Sequence, residues 1–219
     1  MHTVVEKNSS PNLFSTLSCF VIRGSLRRVF LMWDENVYCA VDIETTGLDP
    51  SMGDMIIEVA VVPIYKGKIV RELVYSSLVN PKVYIHAYAQ KIHKITNSDI
   101  DGAPGLDEVI SVLRKYSQDT IMVFHNAKFD LTFLDYAAKE IGQLPLNVYY
   151  IDTLDISQTI YGRRRKLESL AQEFGVSHKV THRAYDDATV TAEVFIKFFD
   201  KFGWETMHEF LKKWLGKEY

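Results

Sequence analysis

Hydrophobic positions change their period several times along this chain, and each change predicts an element. Residues 37–43 are apolar except for Asp42 and predict a buried central strand. Residues 55–64, rich in Ile and Val, predict a second strand. Lys66-Gly67-Lys68 turns it into a third over 69–79, so the pair reads as a hairpin that Asn80-Pro81 ends. Helical turns are expected over 87–92 and 105–116, a short apolar strand over 120–124, and a helix over 127–141 closed by Gly142. A last strand is expected at 148–151, then helices at 154–161, 167–174, 183–202 and 205–215. In the long helix Ala184, Ala188, Ala192, Phe195 and Phe199 form one apolar stripe, with Asp187, Thr191, Val194 and Phe198 beside it. Strands in a meander, then strands alternating with helices, predict an α/β chain with a mixed sheet covered by helices.

Composition narrows the class. The 219 residues are 47% apolar and 24% charged, which suits a soluble globular chain of one large domain, or one domain with an appendage. A net charge of −3 argues against a broad DNA-coating surface, but not against an enzyme whose acidic pocket is neutralised by metal. Of the two cysteines, Cys19 and Cys39, the second falls in the buried strand. Pairing is not expected, and a reduced, cytoplasmic setting is the simplest reading. No apolar run reaches the length that crosses a membrane.

Residues 1–31 stand apart from the domain expected over 32–219. The stretch 13–22 is mostly apolar, Arg23, Arg27 and Arg28 follow it, and no acid occurs between Glu6 and Asp34. A secretory signal places its basic residues before the apolar stretch, not after. Three readings stand: a targeting segment, an extra helix or disordered arm, or a chain whose true start is Met32. On the last, a chain starting at Met32 folds and keeps full activity.

Three short motifs carry the chemistry: Asp42-Ile43-Glu44-Thr45-Thr46-Gly47-Leu48, His125-Asn126-Ala127-Lys128-Phe129-Asp130 and His182-Arg183-Ala184-Tyr185-Asp186-Asp187-Ala188. Side chains alternate along a strand, so Asp42 and Glu44 share a face at the end of a buried run. Two like charges there are costly unless a cation pairs them, and hard oxygen ligands suit Mg²⁺ or Mn²⁺. Asp130 falls near a helix start, where the helix dipole also favours a carboxylate, so a structural role and a metal role stand level. Asn126 fits a helix cap equally well. His125 reads as a structural histidine, Asp152 as a helix cap and Asp186 as a surface acid. Asp187 projects from a largely apolar helix face, with His182 five residues earlier able to overhang the same pocket. Four carboxylates and a histidine are the equipment for cutting a phosphodiester with two divalent ions.

In these motifs the chain resembles the DEDDh 3′–5′ exonucleases, the group that contains the proofreading epsilon subunit of bacterial DNA polymerase III. All three patterns stand in order, and Ile56-Ile57-Glu58-Val59-Ala60, His93-Lys94-Ile95-Thr96 and Ile151-Asp152-Thr153-Leu154 also look familial. The resemblance covers roughly 37–199. It implies a ribonuclease H-like exonuclease fold, a five-stranded mixed sheet flanked by helices. It implies that Asp42, Glu44 and Asp187 hold the catalytic metal, that Asp42 reaches a second supported by Asp130, and that His182 is the general base. The two ions, Mg²⁺ or Mn²⁺ and roughly 4 Å apart, stabilise the attacking and leaving oxygens. Main-chain groups of Thr45 and Thr46 are expected at the 3′ hydroxyl, Leu48 against the last base, Asn126 at a phosphate, and His93 and Ile95 in the terminal-nucleotide pocket. The product is a nucleoside 5′-monophosphate, and frayed or mismatched 3′ ends are favoured.

Arg163-Arg164-Arg165-Lys166, the densest basic run, fits a phosphate track and a solvated loop equally. Tyr149-Tyr150 and the Phe-rich last helices read as core rather than base-stacking platforms. The leading function is a metal-dependent DNA 3′–5′ exonuclease of proofreading or repair type. Its partners would be single-stranded or frayed DNA 3′ ends and a DNA polymerase catalytic subunit, with no membrane. The rival within enzymes is an RNA-trimming exonuclease of the same fold, and outside them an inactive exonuclease-fold adaptor. No tail is evident after Trp214-Leu215-Gly216, which favours a stand-alone enzyme or a polymerase contact made by the domain surface.

Overall fold

The computed structural model describes residues 35–216. The extension expected over 1–31 and the alternative start at Met32 lie outside the described residues. The central strand is β1 (Val37–Thr45), buried except at Val37, Asp42 and Glu44, which are half-buried. It pairs antiparallel with β2 (Ile56–Tyr65) from Val37↔Tyr65 to Glu44↔Glu58, with a bulge between Glu44 and Thr45. On its other side β1 pairs parallel with β5 (Thr120–Phe124), which pairs parallel with β6 (Val148–Asp152).

The third strand is not continuous. Lys66 and Gly67 adopt φ of 48° and 74°, the left-handed pair that closes a tight hairpin. Then β3 (Lys68–Ile69) stops, a 3₁₀ turn runs over Arg71–Leu73, and β4 (Tyr75–Leu78) rejoins β2. Pro63 explains the break. Its carbonyl accepts Val70 N–H at 2.8 Å, but the proline has no N–H to return to a partner strand.

The chain end also differs from expectation. The last helix, Ala184–His208, breaks at Gly203 (φ 77°, ψ 173°). The expected helix over 205–215 ends at His208, and β7 (Lys212–Trp214) pairs antiparallel with β6 instead. Leu211, Trp214 and Leu215 have helical spacing, but the edge of β6 offers main-chain partners. Trp214 Nε1 donates to Asp135 Oδ2 at 2.9 Å and Lys212 Nζ to Asp155 Oδ2 at 2.6 Å. Among the described residues the sheet therefore has seven strands, ordered β3-β2-β1-β5-β6-β7 with β4 also on β2, where five were expected.

The helices among the described residues are α1 (Ala87–His93), α2 (Leu106–Ser117), α3 (Ala127–Glu140), α4 (Thr153–Tyr161), α5 (Leu167–Phe174) and α6 (Ala184–His208). Both apolar stripes of α6 are buried, and Phe195 packs on Tyr38 with ring centroids 5.0 Å apart. A smaller core of Ile57, Ile85, Ala89, Ile95 and Ile100 lies elsewhere. Tyr149 corrects the core reading: it is half exposed, with Lys213 Nζ 5.4 Å from its ring. No helix among the described residues is long and apolar enough to cross a membrane. Parallel β5 and β6 end together, Phe124 opposite Asp152, with helices starting just beyond them, and β1 runs past that level to Thr45; this end of the sheet is where open α/β sheets bind ligands.

Candidate active site

The end of β1 supplies the first acids. Asp42 and Glu44 point to one face, and the bulge after Glu44 turns the chain into the loop Thr46-Gly47-Leu48. That loop is held by Asp54, whose Oδ1 accepts Thr46 Oγ1–H at 3.1 Å and whose Oδ2 accepts Asp49 N–H at 3.0 Å. Thr46 Oγ1 in turn accepts Met55 N–H at 3.0 Å. A Cβ on Gly47 would come within 2.2 Å of the Asp54 carboxylate, so only glycine fits there. The side chains of Thr45 and Thr46 are thus spent inside the protein, Thr45 Oγ1 donating to Gly47 carbonyl, while Leu48 is 69% exposed.

The second motif begins where β5 ends. Asn126 takes the N-cap position of α3 with φ 82°, and its side chain caps nothing. The cap comes from Asp152 at the end of β6. Its Oδ1 accepts Asn126 N–H at 3.0 Å and Leu154 N–H at 2.9 Å, and its Oδ2 accepts Ala127 N–H at 2.9 Å. One carboxylate therefore caps α3 and α4 together, and the exposed Asn126 side chain is left for the cleft. Asp130, one turn into α3, is buried. His125 Nδ1 lies 2.9 Å from Thr153 Oγ1, and burial pushes its imidazole down to about 4, so it is neutral at physiological pH.

The third motif leads into α6. His182 is an exposed residue with φ 58°. Asp187 Oδ1 accepts Thr181 N–H at 2.9 Å, and Asp186 Oδ2 accepts Thr181 Oγ1–H at 2.5 Å. Arg183 forks onto Glu58 of β2, with Nη2 to Oε1 at 2.6 Å. His93 is buried beneath this region, its Nδ1 accepting Ile95 N–H at 3.0 Å, and Ile95 joins the smaller core. Both residues are only 2% exposed, unlike Leu48 and His182.

The structure gathers one carboxylate oxygen from each of Asp42, Glu44 and Asp187 within 4.8 Å of one another. Burial and then the charges of Asp130, Glu44 and Asp187 push Asp42 well above the usual carboxylate range. Burial, then Asp187 and Glu58, raises Glu44 to about 8. Asp130 and Asp187 are raised too, by burial first, with nearby main-chain N–H groups pulling the other way. A cluster of oxygen donors that repel one another fits a hard divalent cation, which would keep them ionised. The cluster could therefore bind metal, with Asp130 outside the trio but acting on Asp42 through its charge.

Asp42, Asp187, His182, His125 and Asn126 line a cleft of about 800 Å³, and Arg164, Arg165 and Lys166 form another part of its wall. Asp54 had no place in the sequence motifs, and Glu58 stood only inside the familial-looking run Ile56-Ile57-Glu58-Val59-Ala60, with no role assigned. Glu58 was visible by the logic applied to Asp42, an acid inside an apolar run; Asp54 lies in a polar loop and gave no such signal.

Known proteins agree with this geometry. The RNase_T exonuclease family model matches residues 39–195. The PolC-type DNA polymerase III of Caldanaerobacter subterraneus subsp. tengcongensis is 37% identical over 169 residues, covering 76% of this chain and 12% of the relative. That of Staphylococcus aureus is 36% identical over 202 residues, covering 90% of this chain and 14% of the relative. The chain thus spans only a small part of the length of these relatives. Among solved structures, Exonuclease X in complex with 5′ overhanging duplex DNA superposes with a TM-score of 0.62 at 27% identity, covering 79% of this chain and 98% of that one. The nuclease domain of 3′hExo, a DEDDh family member bound to rAMP, shares the fold with a TM-score of 0.69 at 16% identity, covering 84% and 98%.

Proposed function

The chain belongs to the RNase_T exonuclease family, and from that premise we propose that it is a DEDDh-type nuclease that shortens DNA from the 3′ end in a metal-dependent, proofreading-type reaction. The observation that carries this reading is the convergence of Asp42, Glu44 and Asp187 within 4.8 Å in a cleft that His182 also lines. Asp42, Glu44 and Asp187 would hold one divalent ion, and Asp42 with Asp130 a second, Mg²⁺ or Mn²⁺. Such ions supply charge stabilisation to the attacking and leaving oxygens of an in-line displacement.

The chain's own groups do the rest. His182, exposed at the cleft, accepts the proton of the attacking water. Main-chain groups around Thr45 and Thr46 meet the 3′ hydroxyl; the Thr46 N–H already donates to the Met55 carbonyl at 2.8 Å and its carbonyl accepts His86 N–H at 3.1 Å, which leaves that carbonyl's second lone pair for the hydroxyl. Leu48 packs against the terminal base, Asn126 meets a phosphate, and His93 and Ile95 form another part of the terminal-nucleotide pocket from beneath. Arg164 and Lys166 face the phosphates upstream of the scissile one. The bond broken joins the last nucleotide's 5′ phosphorus to the 3′ oxygen before it, and the product is a nucleoside 5′-monophosphate.

The PolC-type relatives favour DNA as substrate and a polymerase as partner. The test is digestion of 5′-labelled, 3′-mismatched DNA and matched-length RNA with Mg²⁺ or Mn²⁺, beside Asp187→Ala and His182→Ala. A ladder shortening from the DNA 3′ end and lost in both variants is the expected result. Preference for RNA would keep the mechanism and change the substrate. No metal-dependent cleavage of either would refute the reading in favour of an inactive adaptor.

A further inference from the structure

Glu58 and Arg183 take no part in the chemistry above, yet they meet at its most constrained point. Glu58 sits on β2 directly opposite Glu44 and is 3% exposed. Its carboxylate is saturated with donors. Arg183 Nε reaches Oε1 at 3.2 Å and Oε2 at 3.0 Å, Nη2 reaches Oε1 at 2.6 Å, and Ala184 N–H reaches Oε2 at 2.9 Å. This contact ties the third motif to a strand 125 residues earlier in the chain.

Between the anchors lies His182, a non-glycine residue with φ 58°. On its N-terminal side Thr181 is held by Asp187 and Asp186; on its C-terminal side Arg183 is held by Glu58. Left-handed backbone at a residue with a Cβ persists where its surroundings over-determine it. The Arg183 side chain is 45% exposed, so it is not there to fill the core. Its planar, bidentate fork fixes direction as well as distance, which a lysine cannot do.

We propose that the Glu58–Arg183 fork is a positioning device that holds the His182 turn so that its imidazole faces the acids of the cleft. Arg183 is a positioning residue, acting through His182. The inference rests on the exonuclease reading for its kinetic consequences, but not for its structural one. Removing Arg183 leaves the Ala184 N–H bond to Glu58, so α6 still starts in place and only the turn before it is released.

The test compares Arg183→Ala and Arg183→Lys with the unaltered protein on a 5′-labelled, 3′-mismatched oligonucleotide. Arg183→Ala should lower kcat about 10- to 100-fold with KM within about twofold, because small misplacement of a reacting group costs that much. Arg183→Lys should recover only part. Millimolar guanidinium should speed Arg183→Ala and leave the unaltered protein unchanged. In a His182→Ala background, adding Arg183→Ala should cost nothing further. A wild-type kcat in Arg183→Ala, or losses that multiply with His182→Ala, would overturn the proposal. If Arg183→Ala does not fold, Arg183→Lys decides, and wild-type kcat in it overturns the proposal equally. Hydrogen exchange at the Thr181 amide decides independently of activity: faster exchange in the variants supports the device, and unchanged exchange sinks it. An inactive unaltered protein with that same faster exchange would remove the exonuclease reading and keep the fork.

Discussion

Two sets of buried or half-buried carboxylates share one end of the sheet, and they are held in opposite ways. Glu58, Asp152 and Asp54 are filled with donors: an arginine fork and a helix N–H on the first, three main-chain N–H groups on the second, a hydroxyl and an N–H on the third. On Asp42 only burial and like charges act; on Glu44 burial and like charges outweigh Arg183. The first set is complete within the chain and fixes where the loops run. The second is a set that a cation could complete. Glu44 and Glu58 make the contrast sharpest, because they are cross-strand partners of one residue type. Like charges directly opposite destabilise a sheet, and Arg183 answers one of the two.

The largest expected effect separates the sets by activity and stability together. Asp42→Asn should slow cleavage by roughly 10³-fold, the scale of losing a preorganised electrostatic group. In chelator the same variant should melt higher than the unaltered protein, because a repelled, buried acid has gone. Thermal unfolding in EDTA checks this. A lower melting temperature would mean that Asp42 is already satisfied by the chain and that the comparison is wrong.

Next comes the opposite member. Asp152→Ala removes the shared cap of α3 and α4 and leaves Asn126, Ala127 and Leu154 N–H groups unpaired. Each lost cap costs about 1 kcal/mol and buried orphan donors add to it, so roughly 2–4 kcal/mol of unfolding free energy should go. Urea unfolding measures it. A loss under about 0.5 kcal/mol, the scatter of an ordinary surface substitution, would show that water replaces the cap without cost.

How much of this was legible in sequence follows the same division. Asp42, Glu44 and Asp187 were visible because each interrupts an apolar pattern, and β1, β2, β5 and the stripes of α6 were visible because their periods are clean. Asp54 and Glu58 act through partners 8 and 125 residues away, and no local pattern encodes those pairings. Asp152 was legible as the cap of its own helix but not as the cap of α3, a contact made across the sheet. The broken third strand depends on Pro63 in its neighbour, and β7 on a free edge at β6. Both are tertiary decisions that override the local periodicity.

The third effect is a pH slope that metal should erase. Glu44 stands at about 8 in the fold against an ordinary 4.5. An acid raised in the fold contributes stability that is full below its unfolded value and lost as pH rises through its folded one. Asp42, Asp130 and Asp187 shift in the same direction. Metal-free protein should therefore melt lower at pH 8 than at pH 6.5. Below pH 6.5 His125 works the other way, since its lowered value costs stability as pH falls toward about 4, so the window above 6.5 isolates the acids. Mn²⁺ should raise the melting temperature more at pH 8 than at pH 6.5, and Glu44→Gln should shrink that difference. A flat profile in EDTA over this window would refute the assignment of repulsion to these acids.

The smallest effect tests whether the basic wall of the cleft belongs with the acids opposite. Arg165 is committed to Glu173 and to the Tyr161 ring, 4.9 Å from its centroid. Arg164 is 64% exposed with only a 3.8 Å approach to Asp155, and Lys166 is exposed at the start of α5. Both line the cleft, whereas Arg163 is exposed without lining it. A charge that neutralises a backbone phosphate releases counterions, so each contributes about 0.7 to the slope of log affinity against log salt for a single strand. Arg164→Ala with Lys166→Ala should flatten the slope of log KM against log salt by about 1.4 at most, with kcat nearly unchanged. Arg163→Ala should leave it unaltered. If all three substitutions flatten the slope equally, the run is a diffuse positive loop and only the acids define the path. If only the two lining residues do, the cleft has a polarity, with the scissile phosphate at the carboxylates and the upstream strand along Arg164 and Lys166.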